Sequence, residues 1–90
     1  MEHNEVSEML QREIAETEEK LTRRMSEWLR MKNDYEMWRD QRRGEYGESV
    51  ADDELEWEKG ASVREYYALY IEPLEKQLRE KRENMKIFRE

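Results

Sequence analysis

The 90-residue chain contains no cysteine. Disulfide staples, thiolate metal clusters and cysteine nucleophiles are therefore excluded. Histidine occurs once, at His3, so the serines have no neighbouring histidine to act as base in a triad of the usual form. A metal site would rest on carboxylates, which suit hard ions better than transition metals. Asp52, Asp53 and Glu56 come nearest to such a set, but their spacing matches no calcium loop. With three glycines and one proline, there is no Gly-rich phosphate loop and little to interrupt a helix. No apolar run approaches a membrane span, and the acidic, polar N-terminus does not read as a signal peptide. A soluble, cytoplasmic protein is the expectation, with no cofactor and no metal.

What is present is charge. Charged residues make up 46% of the chain against 36% hydrophobic, too polar for an ordinary compact globule and suited to long helices or a coiled coil. Disorder competes for any chain this charged, but three tryptophans and five tyrosines argue for a packed structure. So does a regular apolar pattern. Counted in sevens, Ile14, Leu21, Trp28 and Tyr35 form one column, and Leu10, Thr17, Arg24, Met31 and Trp38 another. Columns interleaved at steps of three and four mark a helix that buries a narrow seam against another helix.

In chain order, Asn4 is placed to cap a helix over residues 5–43, with Glu5 and Glu8 in the first turn favoured by the helix dipole. Arg39, Arg42 and Arg43 crowd its end, and Gly44 is the expected C-cap. Residues 44–60 read as a turn (Gly44 to Gly47) and a short acidic helix capped by Ser49, from Val50 to a stop at Gly60. Ser62 with Glu65 forms a capping box opening a last helix over 62–89, kinked near Pro73. Its seam is Tyr67, Ile71, Leu74, Leu78, Met85 and Phe88, widened at the start by Val63, Tyr66 and Tyr70. The expected fold is all-α: a single domain built as a long antiparallel helical hairpin, coiled-coil-like, with a short connecting helix. That makes three helices, able to dimerise into a bundle. Folding the last helix back sets Trp38 near Tyr66 and Tyr67, Tyr35 near Tyr70, Trp28 near Leu74, and Ile14 near Phe88. Thr17, Arg24, Gln77 and Lys81 would then form a polar belt across the seam.

The acidity is local. Residues 1–43 hold eleven acids and nine bases (−2), residues 44–60 seven acids and one base (−6), and residues 61–90 six acids and seven bases (+1). Glu45, Glu48, Asp52, Asp53, Glu54, Glu56 and Glu58 carry the excess, with Tyr46 and Trp57 among them. Such a run is either a solvated face or a docking surface for a basic partner, with the aromatics as anchors. Trp57 reads more simply as packing of the short helix onto the hairpin. Direct nucleic-acid binding is disfavoured, because phosphate neutralisation needs clustered excess base.

The stretch from Arg12 to Leu21 (Arg-Glu-Ile-Ala-Glu-Thr-Glu-Glu-Lys-Leu) resembles the opening helix of the all-helical chorismate mutases. The resemblance implies a long, a short and a final helix, and a dianionic substrate held by basic side chains. Arg12 would match the first arginine, and Gln77 approximates a glutamine of the last helix. The pattern is broken elsewhere, by Trp28 at the second arginine, by Arg39 as the nearest stand-in for a lysine, and by acids around Leu55 and Glu56. A segment of −6 is a poor cradle for a dianion, so the activity is rejected and the topology kept as analogy. Two readings remain. One is a non-enzymatic structural or interaction module that pairs with itself, as a homodimer, or with a protein partner. The other is an acidic nucleic-acid mimic that inhibits a target by blocking its basic site, which predicts salt-sensitive association.

Overall fold

The computed structural model describes residues 2–47 and 53–89, with side chains for 5–47 and 53–87. Two helices account for nearly all of it, and no strand occurs among the described residues. The first, α1, spans Glu2–Tyr46. The second, α2, covers residues 54–89 and has three consecutive parts: α-helical Glu54–Tyr66, π-helical Tyr67–Ile71 and α-helical Glu72–Arg89. They lie against each other as an antiparallel hairpin 67 Å long and 16 Å across.

The expected helix boundaries move. Asn4 lies inside α1, which is already helical at Glu2. At the other end the helix runs through Gly44 and stops at Gly47, which takes the left-handed conformation (φ 82°) and donates its N–H to the Arg43 carbonyl at 2.8 Å. Gly60 does not end a helix, and Ser62 does not begin one. Ser62 Oγ instead bonds back to the Glu58 carbonyl at 3.2 Å, as serine does in mid-helix. The short helix and the last helix are thus one element, and the three-helix count becomes two. Gly60 serves another purpose. A Cβ there would sit 3.2 Å from the Tyr35 hydroxyl, so the missing side chain lets α1 approach α2. The cap of α2 is Asp53, whose carboxylate accepts the Glu56 N–H at 3.0 Å. Ser49 and Val50 lie outside the described residues.

The π-helical turn has a reason in the spacing of buried residues. Along α2 these include Glu56, Val63, Ile71, Leu78 and Met85. Each step is seven except Val63 to Ile71, which is eight. A continuous α-helix would let that eighth residue rotate Leu78 and Met85 out of the seam. The wider turn between Tyr67 and Ile71 absorbs it, closed by the Glu72 N–H on the Tyr67 carbonyl. Pro73 follows directly. Having no N–H, it could not have bonded back to Leu69, so it adds little cost where the ladder is already interrupted. The expectation near Pro73 is a kink; what precedes the proline is this π-helical turn, within one continuous helix.

Packing in the upper hairpin is set back by about two helical turns from the expected pairing. Trp28 meets Tyr67 edge-on at 5.0 Å and donates Nε1–H to the Val63 carbonyl at 3.2 Å, in place of meeting Leu74. Tyr35 lies against Gly60 and donates to the Glu56 carbonyl, and Trp38 lies under Lys59. The cause is the continuity of α2. Its first turns supply the partner for the upper part of α1, a place the expected pairing assigned to residues near Tyr66 and Tyr70. Lower down, Lys81 donates to Thr17 Oγ1 at 2.8 Å, so that part of the polar belt forms. Arg24 leaves it for Tyr66 and Tyr70, and Gln77 is exposed.

Candidate partner-binding surface at the loop end

Seven residues separate α1 from α2, and both helices bring charge to the junction. The last turns of α1 place Arg42 and Arg43 side by side, and the first turn of α2 places Asp53 and Glu56 across from them. Arg42 grips both Asp53 oxygens, one of them at 2.8 Å. Arg43 holds one Glu56 oxygen through Nη2 at 2.8 Å and Nε at 3.1 Å. Glu56 is only 3% exposed, and its second oxygen has no hydrogen-bond donor. Arg42 Nη1 stands 3.7 Å from that oxygen, close enough to offset the charge without bonding it.

Asp53 is therefore doubly committed. Arg42 foremost, and then the Glu56 N–H at the helix start, hold its carboxyl down at about 2, against an ordinary value of 3.8. Two of the seven acids assigned to the partner-facing segment are spent on closing the hairpin. The sequence signal was available in the three arginines near the end of α1, which would meet the acids wherever the chain turned back. Read along the chain, the same acids looked like a uniform run.

Other members of the segment face outward. Glu45, Glu54 and Glu58 are exposed, as are Tyr46 at 65% and Trp57 at 67%. Trp57 does not pack onto the hairpin, because α2 turns Glu56 and Gly60 toward α1 and leaves residue 57 pointing away. Leu55 (44% exposed) adds apolar surface at the same end. Glu48 and Asp52 lie outside the described residues. What remains exposed at this end, among the described residues of the segment, is two aromatics and three carboxylates.

Along the rod, Leu10, Ile14, Leu21, Trp28, Met31, Tyr35, Trp38, Tyr67 and Leu74 are half-buried, while Ile71, Leu78 and Met85 are buried. Tyr70 falls on the flank at 43% exposed, where the Arg24 guanidinium covers it at 4.5 Å from the ring centre. The side chain of Phe88 lies outside the described residues. Cations also lie over Trp28 (Lys32, 5.2 Å) and Trp38 (Lys59, 4.8 Å), covering aromatic faces that two helices alone cannot bury. Arg12 and Gln77, on which the resemblance to chorismate mutases rests, are exposed. No group of acids or histidine able to hold a metal ion occurs among the described residues, and no described helix is long and apolar enough to cross a membrane. No protein-family model matches the chain, and neither a curated protein nor a solved structure matches it.

Proposed function

We propose that this chain is a non-enzymatic interaction module: a helical hairpin that pairs with a second copy and presents its charged loop end to other proteins. One observation carries the reading. The chain exposes 7277 Å², whereas a globule of 11.3 kDa exposes about 5,700 Å². The excess of roughly 1,500 Å² is more than the ~800 Å² that each partner contributes to an ordinary stable interface. Inside the hairpin, Ile71 is the only large side chain fully buried among the described residues. A core this thin argues for a second layer of helices. Light scattering across a concentration series tests it: a particle of twice 11.3 kDa supports self-association, and a monomer at every concentration overturns it.

Exposed Trp57 and Tyr46 among Glu45, Glu54 and Glu58 favour a second reading, in which the loop end occupies a basic site on a target, as a nucleic-acid mimic does. Neutralisation of Asp53 and Glu56 by Arg42 and Arg43 weighs against it, since it halves the acid available at that end of α2. Displacement of DNA from basic-channel proteins, lost in Glu54→Lys/Glu58→Lys, is the result this reading requires.

A further inference from the structure

The two flanks of the hairpin differ in what they leave unsatisfied. On one flank Arg24 lies over Tyr70 and bonds the Tyr66 hydroxyl at 3.3 Å, while Tyr66 donates to Glu27. Those polar groups answer one another beside a hollow of about 620 Å³ whose lining is more polar, with Lys20, Arg23, Arg24 and Glu27 around Leu69 and Leu74. The other flank holds a groove of about 700 Å³ between Leu21 and Met25 of α1 and Tyr67 and Leu78 of α2. Toward the open end it continues into a second hollow of about 360 Å³ between Ile14 and Met85, sharing Arg82 and Lys86 as its rim. Arg82 is paired with Glu18 at 2.8 Å. Arg79 and Lys86 make no ion pair among the described residues, and neither do Glu54 and Glu58 at the far end of α2.

Resting on the self-association proposed above, we infer that two copies pair through this Leu21–Met25–Leu78 groove with their loop ends pointing in opposite directions. The occupant of each groove is the same face of the second copy. Area and shape support it: an apolar floor bounded by charged residues, running along both helices, on a molecule whose surplus surface matches one side of a dimer interface.

Charge sets the direction. Residues 53–72 carry six acids and two bases (−4), and residues 73–89 carry six bases and three acids (+3). With loop ends opposed, the acidic half of each α2 runs along the basic half of the other. With the two rods overlapped along their full length, Glu54 and Glu58 come within about a turn or two of the second copy's Lys86 and Arg82. With loop ends together, two connecting segments of −6 would lie side by side, which is repulsive.

The test uses the whole 90-residue chain and solution mass. Met25→Glu, on the groove wall, should convert the dimer to a monomer with the helical circular dichroism kept, whereas Leu69→Glu on the opposite flank should leave the dimer intact. The reverse pattern overturns the inference. Should Met25→Glu lose its fold, the exposed pair Arg79→Glu/Lys86→Glu decides. It should weaken the dimer by about tenfold or more, and adding Glu54→Lys/Glu58→Lys should recover most of that loss. No effect from the first pair overturns the inference. Because the chain has no cysteine, Glu45→Cys gives one spin label per copy. Label separations of about 45 Å or more, a large part of the 67 Å rod, are expected. Separations below about 30 Å mean loop ends together and overturn the direction. A wild-type monomer overturns both this pairing and the self-association it rests on. A wild-type dimer indifferent to Met25→Glu overturns the pairing alone.

Discussion

Asp53 has two roles in the closure of the hairpin. It caps α2, pairs with Arg42 and so joins the two helices at their connection. Its carboxyl is held down at about 2, so its contribution to stability is complete above the ordinary value of 3.8 and is lost as pH falls from there toward 2. Asp53→Asn should therefore melt below wild type at neutral pH, and the gap in Tm should close as pH is lowered through that window. A gap that is unchanged at pH 2 would mean that loss of the carboxylate charge is not its cause, since asparagine retains the cap. Glu56 contributes differently. Being almost wholly enclosed, it depends on Arg43 for its only side-chain hydrogen bonds among the described residues. Removing the Arg43 guanidinium would leave a buried carboxylate short of donors.

Among the elements, α2 is the one whose regularity is broken, at Tyr67–Ile71. If the eight-residue step from Val63 to Ile71 causes the π-helical turn, Pro73→Ala alone should leave that turn in place, because Ile71, Leu78 and Met85 would still need it to face α1. Removing the exposed Leu69 together with Pro73→Ala should restore a spacing of seven throughout and give an uninterrupted α-helix. The expected Tm is equal to or above wild type, with backbone amide chemical shifts of residues 66–72 moving to regular α-helical values. By contrast, deleting Lys76 would rotate Leu78 and Met85 away from Leu21 and Ile14. That variant should lose most of its cooperative unfolding.

As a whole the molecule is a rod with a radius of gyration of 19.7 Å, against about 12 Å for a globule of its length. Cohesion depends on one thin seam, so a single charge placed in it should propagate. Leu21→Asp puts a carboxylate against Leu78 and the groove at once. Most of the helical ellipticity and any association should be lost, a penalty of about 3 kcal/mol or more against a small total stability. Unchanged circular dichroism and mass in that variant would show the core to lie elsewhere. Surface ion pairs such as Arg23–Glu19 contribute little, being largely exposed.

Local chemistry determined the helical class and the long uninterrupted α1. Each follows from spacing and from residues with few conformational options. The tertiary structure alone decided what the ambiguous residues do. Gly60 and Ser62 carry helix-stop and helix-start chemistry, yet both sit inside α2, because docking against Tyr35 outweighs a preference of about 1 kcal/mol or less. Asp53 and Glu56 are indistinguishable from Glu54 and Glu58 along the chain. The turn, by choosing which carboxylates face Arg42 and Arg43, makes two of them structural and leaves two for solvent or a partner. Register was the least legible quantity, since a seam of period seven accepts its partner at any whole number of heptads. Only the length of the connection and the extra residue before Ile71 select one pairing.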